Sequence, residues 1–198
     1  MARDRVPIVK QSRREGFALS EKAIKIMARR TGTPGQQSGR PGNKPSLYNK
    51  QLREKQKVRH LYGLMEKQFS KLARLAMSRP GIAGENLLTL LELRVDNAVY
   101  RAGFANTRRA ARQMVSHGHF TLNGKRITIP SITLKAGDAV EARPQAKKSN
   151  VFMAVGSSQA NWLDVKSKDL KFTVAALPTR ADIQDEIHEQ LIIEYYSR

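Results

Sequence analysis

Residues 91–131 read LELRVDNAVYRAGFANTRRAARQMVSHGHFTLNGKRITIPS, and this stretch decides the fold. Asn106 or Thr107 can accept the first backbone N–H groups of a helix, and Gly118 suits the left-handed residue that follows a helix. The apolar residues between them share one helix face. This buried stripe is Ala110, Ala111, Met114 and Val115. The stretch therefore predicts a helix of about three turns with the other face polar.

Directly after this helix, apolar and polar residues alternate on both sides of Asn123-Gly124. The apolar positions are Phe120, Leu122, Ile127 and Ile129. Asn-Gly favours the tight turn that joins two antiparallel strands, so the pattern predicts a hairpin. Further strands are predicted around residues 132–140, at 152–156 (FMAVG) and at 171–177 (KFTVAAL), and Trp162 is expected in the core.

Helical patterns fill the rest of the chain. Ser20 is expected to cap a short helix that runs to about Arg30, with Ala23, Ile24 and Met27 on its apolar face. Ser46 opens a pattern that we interpret as one long helix ending at Pro80-Gly81. A second long helix is predicted from Leu87, after Gly84 to Asn86, to about Gly103, and a last one over 183–196. Helices followed by a hairpin sheet predict an α+β fold in two lobes, with helices packed on a small antiparallel sheet.

Composition restricts the function further. The 198 residues carry a net charge of +19, and residues 1–60 alone hold 16 basic and 4 acidic side chains. Such a chain attracts polyanions. With no cysteine, disulfides, iron–sulfur clusters and thiol catalysis are excluded. No run of 18 apolar residues occurs, so we expect a cytoplasmic protein with no membrane role. The acidic end, net −4 over the last 18 residues, is expected to pack on basic protein.

The densest basic group lies on the helix and hairpin described first. Arg108, Arg109 and Arg112 form a ridge opposite the apolar stripe, and Lys125 and Arg126 follow the hairpin turn. Guanidinium groups match two phosphate oxygens at once and also stack on bases. One such arginine is typical of any solvated helix face. Nine basic against three acidic residues between Arg94 and Arg143 instead indicate a nucleic-acid surface.

These residues closely resemble the RNA-binding module named after small-subunit ribosomal protein S four. The flanks SRREG (12–16), SLYNKQLREKQKVRHLYG (46–63), GENLLTLLELR (84–94) and EQLIIEYYSR (189–198) extend the likeness over the whole chain. The chain thus resembles the bacterial small (30S) ribosomal subunit protein S four family, in a cysteine-free form. That resemblance implies a structural constituent of the small subunit and no enzyme.

The resemblance also implies partners and a domain plan. It implies primary binding to the 5′ domain of small-subunit rRNA, nucleation of subunit assembly, and a place beside neighbouring small-subunit proteins where mRNA enters, with an influence on translational accuracy. We expect a basic extension and Gly/Pro loop at 1–45, a discontinuous helical lobe of 46–90 with 180–198, and the module with its sheet at 91–179.

Carried over to this chain, the resemblance nominates RNA-binding residues in both lobes. In the module they are Arg108, Arg109, Arg112, Gln113, His117, His119, Asn123 and Lys125. In the N-terminal part they are Arg13, Arg14, Tyr48, Gln51, Arg53, Lys55, Lys57 and Arg59. Two further candidates come from position alone: Arg126 follows the hairpin turn, and Lys50 shares a helix face with Arg53 and Lys57 by its spacing. Arg40 and Lys44, in the Gly/Pro loop, are candidates for mRNA contact.

Some residues are interpreted as structural. Asp96, flanked by Arg94 and Arg101, is expected to form charge pairs that fix its helix rather than to act as a catalytic acid. Tyr48 and Tyr62 can stack on bases or pack between elements. Many family members bind zinc through cysteines near residues 29–36, but RRTGTPGQ has none, so we expect no metal and no cofactor.

Three other classes of protein would fit parts of this sequence. RNA-modifying and tRNA-aminoacylating enzymes carry the same module, but this chain shows no catalytic or nucleotide-binding motif outside it. A general nucleic-acid condensing protein would fit the charge without needing so specific a module. A membrane-surface helix would need bulky apolar anchors, whereas Gly and Pro interrupt the basic stretches here.

Overall fold

The computed structural model describes residues 6–30, 32–35, 44–147, 160–183 and 186–197. The chain divides into two units, one made of Met1–Leu87 with Glu186–Arg198 and the other of Leu88–Asp185. We call them the helical unit and the module. The domain limits expected from the sequence stay predictions.

The helical unit is built from amphipathic helices around small and apolar side chains. These helices are α1 (Ile8–Glu15), α2 (Glu21–Met27), α3 (Leu47–Leu61), α4 (Glu66–Met77), the first half of α5 (Ala83–Glu92) and α9 (Glu189–Tyr196). Val58, Phe69 and Ile192 are fully buried. Ser20 caps α2, as predicted, because its side chain accepts a hydrogen bond from the Ala23 N–H.

The module packs short helices on a sheet. Its elements are α6 (Val95–Arg101), α7 (Arg108–Ser116), β1 (Phe120–Leu122), β2 (Lys125–Ile127), β3 (Ala139–Ala142), α8 (Pro144–Lys147), β4 (Leu163–Lys166) and β5 (Lys171–Val174). The five strands are all antiparallel, in the order β2-β1-β3-β5-β4. The α+β class predicted from the sequence is confirmed.

The predicted hairpin is also confirmed. Phe120 lies opposite Ile127 and Leu122 opposite Lys125. Asn123 and Gly124 both have positive φ, 49° and 81°, as the tight turn between such strands requires. Phe104 stacks on Phe120 with ring centroids 6.4 Å apart, so the hairpin root forms part of the module core.

Two predicted long helices are in fact pairs, and the prediction of single helices is wrong. The first breaks between α3 and α4, where Gly63 takes a left-handed φ of 62°. The second breaks between α5 and α6, where Arg94 is extended and bridges Thr133. There the Leu93 carbonyl accepts from the Leu134 N–H at 2.8 Å, and the Val95 N–H donates to the Ile132 carbonyl at 2.9 Å. Backbone bonds to a distant loop replace helical ones.

The last helix begins later than predicted. α9 starts at Glu189, not near 183, because a short turn at Arg180–Asp182 is closed first. The Asp182 carboxylate accepts from the Thr179 N–H at 2.8 Å and from its hydroxyl at 2.7 Å. Ile183 then leaves the turn in an extended conformation.

Some of the smaller predictions from the sequence are confirmed and others are not. Trp162 is buried, as expected, and KFTVAAL supplies β5. β4 was not predicted. Two isoleucines expected on apolar faces are more than half exposed, Ile24 at 58% and Ile129 at 53%. The strand predicted at 152–156, and most of the Gly/Pro loop, lie outside the described residues.

Candidate RNA-binding surface

The basic helix α7 is amphipathic, as its sequence predicts. The Thr107 side chain accepts a hydrogen bond from the Ala110 N–H and so caps the helix. Ala111, Met114 and Val115 are buried in the module core. On the other face, Arg109 and Gln113 are exposed, while Arg108 and Arg112 are half-buried.

Contacts from α6 hold Arg108 in place. Its Nε donates to the Asn97 side-chain oxygen at 2.9 Å, and its guanidinium carbon lies 4.6 Å from the centre of the Tyr100 ring. An arginine restrained on an aromatic face and by a buried amide loses less conformational entropy when it binds an anion.

A buried charge network lies under this contact. The Glu92 carboxylate accepts from Arg101 at 2.8 and 3.1 Å, and from the Asn97 side-chain amide at 2.7 Å. Glu92, Asn97 and Arg101 are each less than a tenth exposed. Glu92 thus orients Asn97, which in turn orients Arg108. Sequence reasoning missed Glu92, Asn97 and Tyr100 in this role.

Asp96 is a structural residue, but not with the partners expected. Arg94 donates to both of its carboxylate oxygens, at 3.1 and 2.9 Å, in a buried ion pair. Arg101 pairs with Glu92 instead, which corrects the expected Asp96–Arg101 pair. A second cation near Asp96 is Arg112, whose Nη1 lies 3.8 Å from the carboxylate.

Hydrogen bonds hold the turn at the hairpin tip in place, and charged residues next to it are exposed. The Asn123 side chain donates to the Asp138 carboxylate and accepts from the Ala139 N–H, both at 2.9 Å, which ties the turn to the start of β3. The amide of Asn123 is therefore used within the protein. Lys125 and Arg126, beyond the turn, are exposed.

His117 and His119 flank Gly118 between α7 and β1. Their ring centroids are 5.9 Å apart, and a shallow cleft beside them is lined also by Arg143, Gln145 and Ala146. Burial lowers the pKa of His119 below its usual value, and the neighbouring His117 and Arg143 lower it further. His119 is therefore mainly neutral at pH 7.

The residues nominated in the helical unit differ in how exposed they are and in what they contact. Lys44, Tyr48 and Lys50 are exposed, and so is Arg14. Arg13 donates to the Gly32 carbonyl at 3.0 Å. The Tyr48 ring lies 5.8 Å from the Tyr195 ring, so it packs on α9 while half of its surface faces solvent. Arg40 lies outside the described residues.

Several cations of α3 have protein partners. Arg53 pairs with Glu15 at 3.3 Å and Lys57 with Glu54 at 2.8 Å. Arg59 donates to the Gln56 side chain and to the Leu64 carbonyl, at 2.7 and 3.1 Å. The shared face of Lys50, Arg53 and Lys57 is consequently less available than their spacing indicates.

Two nominated residues of α3 lie inside the protein, which corrects their assignment to the surface. Gln51 is 2% exposed and donates to Glu194 of α9 at 2.9 Å. Lys55 is 3% exposed, lies 2.9 Å from the Glu66 carboxylate and 4.8 Å from the centre of the Tyr195 ring. The spacing alone could not show this, because the covering helix comes from the far end of the sequence.

Within the ranges that the structure describes, every helix is too short or too polar to span a bilayer. In those same ranges, no three His, Asp or Glu side chains come together as a metal site requires. The module thus leaves Arg109, Gln113 and the hairpin cations exposed and Arg108 and Arg112 half-buried, whereas the helical unit leaves only some of its nominated residues exposed.

Comparison with known proteins covers the whole chain. Residues 3–92 match the model of the ribosomal protein S4/S9 N-terminal domain, and residues 93–140 match the S4 domain. The small ribosomal subunit protein uS4 of Chloroflexus aurantiacus is 45% identical over 206 residues, and those of Chlorobium phaeovibrioides and Roseiflexus sp. (strain RS-1) are 44% and 43% identical over 203 and 206. Each match covers 100% of both chains. The chain therefore belongs to the uS4 family of ribosomal proteins, which are structural proteins and not enzymes, and it carries that family's S4 RNA-binding domain.

Proposed function

We propose that this protein is a primary rRNA-binding protein of the small ribosomal subunit, which it enters by binding the 5′ domain of the rRNA. The observation that carries the proposal is the exposure of basic and polar side chains on α7 and on the hairpin. Arg109 and Gln113 of α7 and Lys125 and Arg126 of the hairpin are all exposed, on a segment of net charge +6 between Arg94 and Arg143. Phosphate contacts from such side chains supply affinity, and the hydrogen-bonded turn and capped helix supply shape.

The finer roles follow from this placement in the ribosome. Binding to the 5′ domain would nucleate assembly, and neighbouring small-subunit proteins would then join. Arg40 and Lys44 would lie where mRNA enters, which gives the protein its influence on accuracy. The protein would accordingly act in the cytoplasm, within the ribosome. Of the two loop residues, Lys44 is described and exposed, which supports contact with an anionic partner.

Competition binding tests the proposal. The purified protein is titrated with 5′-domain rRNA, with an unrelated structured RNA and with duplex DNA, at physiological salt and over a salt series. We expect a preference for the rRNA of roughly a thousandfold, as specific nucleic-acid binders show. Equal binding to all three would contradict the proposal and favour a general condensing protein.

A charge-matched pair of variants locates the surface. Arg109→Gln with Lys125→Gln removes two exposed cations of the proposed surface, and Lys166→Gln with Lys168→Gln removes two from the opposite edge of the sheet. The first pair should flatten the log–log salt slope by about 1.5, since each lost phosphate contact removes about 0.7 to 0.9. The control should leave it nearly unchanged. Arg108 and Arg112 are poorer choices because they also contact Asn97 and Asp96.

Subunit reconstitution tests the role in assembly. Small subunits are assembled in vitro from rRNA and the other proteins, with the native chain, with the Arg109/Lys125 variant, or without either. Subunits that form equally fast and completely without the chain would contradict a nucleating role. A misreading assay on subunits that carry Lys44→Gln tests the role in accuracy, and an unchanged error rate would remove Lys44 from it.

A further inference from the structure

Four side chains that can carry positive charge converge on Gly118. His117 ends α7, His119 precedes β1, Arg126 belongs to β2 and Arg143 follows β3. Arg143 was not nominated by sequence reasoning. It is brought here by the sheet, where its backbone N–H donates to the His119 carbonyl at 2.8 Å.

The glycine makes this convergence possible. Gly118 has a left-handed φ of 72°, and a β-carbon built on it would lie 2.6 Å from Nε and 2.8 Å from Nη2 of Arg126. The Arg126 guanidinium thus rests where any other side chain would begin. A second guanidinium approaches the same residue, since Nη1 of Arg143 lies 3.4 Å from the Gly118 carbonyl oxygen.

In the part of the chain that the structure describes, the charges of this cluster have no carboxylate partner. Among the described residues, no carboxylate lies within ion-pair distance of either histidine, Arg126 or Arg143; Gln145 accepts from Arg143 at 3.4 Å without a charge. The nearby carboxylate of Glu141 is paired with Lys147 at 3.0 Å. The cleft is concave and lined by His117, His119 and Arg143. Like charges held together at the surface lower their mutual repulsion by binding an anion.

We propose that this cleft binds one phosphate group and that His119 takes up a proton as it binds. Guanidinium forks and imidazolium N–H groups together fit the tetrahedral arrangement of phosphate oxygens. The phosphate could come from an RNA backbone or from free phosphate. We assign it to an RNA phosphodiester, an assignment that rests on the proposed function.

The proton uptake follows from the groups that face His119. His117 from α7 and Arg143 from the end of β3 oppose its protonation, as does its partial burial, and Gln145 of α8 adds no charge. Arg126 of β2 adds a further cation on the Gly118 side. A bound phosphate would replace this repulsion by attraction, so protonated His119 and phosphate stabilise each other reciprocally.

Histidine NMR on the full chain tests the site without rRNA. The chain has four histidines, and His60 and His188, both in the helical unit, are internal controls. Imidazole signals are titrated with pH in chloride, and again at the same ionic strength with sulfate, which stays dianionic throughout. We expect sulfate to raise the midpoint of His119 by about one unit, equivalent to tenfold tighter binding by the protonated form. Equal shifts of His119 and His188 would show only general screening and would overturn the site.

Variants and RNA complete the test. Arg143→Gln should abolish the sulfate shift, and Lys168→Gln, at the far edge of the sheet, should retain it; a shift that survives Arg143→Gln overturns the site. A short oligoribonucleotide of unrelated sequence should move His119 as sulfate does. If sulfate acts and this RNA does not, the assignment to an RNA phosphodiester is wrong.

Binding of 5′-domain rRNA at pH 6 and pH 8 then separates this proposal from the proposed function. The native chain and a His188→Gln control should both bind several-fold more tightly at pH 6 than at pH 8, and His119→Gln should lose most of that ratio. Absence of specific rRNA binding at either pH would contradict the proposed function, while the sulfate titration would still decide the cleft. An unchanged pH ratio in His119→Gln would overturn the proton uptake.

Discussion

Ion pairs in this protein differ most in how much water reaches them. The side chains of Arg94 and Asp96 are 4% and 7% exposed, whereas those of Lys147 and Glu141 are 32% and 47% exposed. Removing one partner of a buried pair leaves the other charge without solvent, but removing one partner of an exposed pair leaves it hydrated.

Asp96→Asn should therefore destabilise the module by about 3 kcal/mol, because Arg94 loses its buried counter-charge. Glu141→Gln makes the same chemical change in the exposed pair and should cost less than about 1 kcal/mol. Urea unfolding followed by circular dichroism measures both. Equal losses in the two variants would show that burial does not decide the strength of these pairs.

Glu15 makes the stability of the fold depend on pH with a sign opposite to that of most carboxylates. Its side chain is 1% exposed, and Oε2 has no hydrogen-bond partner among the described residues. Burial raises its pKa above 4.5, although Arg53, Arg14 and Arg59 act to lower it. The folded state thus binds this proton more readily than the unfolded state, and stability falls as the pH rises from about 4.5 through the raised value.

Glu15→Gln should remove this loss. The variant is expected to be at least as stable as the native chain at pH 7, and the two should differ least below about pH 4, where the carboxyl is protonated in both states. Melting temperatures measured from pH 3 to pH 8 test this. A variant clearly less stable at pH 7 would mean that the bond to Arg53 outweighs the burial.

Among the helices, caps and turns, only those that depend on nearby residues could be predicted from the sequence. The α7 cap, the hairpin turn and the Ser20 cap were predictable, because each depends on residues within a few positions. The break at Arg94 was not, because it depends on Thr133 and Leu134, which are far along the chain. At Gly63 the apolar spacing continues across the turn, so periodicity alone indicates one helix.

The candidate site follows the same rule. Exposed Arg109, Lys125 and Arg126 could be nominated from α7 and the hairpin alone. The burial of Lys55 under Tyr195, and the approach of Arg143 to Gly118, depend on packing between distant segments. Residue type and spacing carry no signal for either.

Gly84 marks a close approach between two helices of the helical unit. A β-carbon at this position of α5 would lie 2.5 Å from Cγ and 3.0 Å from Cβ of Glu189, in the first turn of α9. Gly84→Ala would favour the helix by up to about 1 kcal/mol, but overpacking costs typically 1–3 kcal/mol. We expect net destabilisation in thermal unfolding. Glu189→Ala should recover part of it in the double variant, and strictly additive effects would contradict the contact.

At the scale of the whole molecule, the two units differ in how their sequence is assembled. The module is formed from one continuous stretch, Leu88–Asp185, whereas the helical unit needs Glu186–Arg198 to cover α3. His188 donates its N–H to Glu54 at 2.8 Å, and the Tyr196 hydroxyl donates to Glu66 at 2.6 Å. Ile192 is fully buried.

Truncation after Asp185 should therefore affect the units unequally. Without α9, the amides of α3 and α4 should exchange hydrogen much faster, because Val58 and Phe69 lose their cover, while β1 and β3 should keep their protection. Hydrogen exchange followed by mass spectrometry measures both sets. Equal loss of protection in both units would show that they unfold together.

The pairing of α3 with α9 also sets an order of events during synthesis. Glu194 accepts from Gln51 across 143 positions of sequence, so a nascent chain that has exposed α3 still lacks its covering helix. The module is formed from one continuous stretch, so it can fold before α9 covers α3. Lys55 and Gln51 are then open to solvent until α9 emerges. In the complete protein α9 covers α3. In the nascent chain α3 is therefore an exposed surface, to which a chaperone or an RNA could bind first.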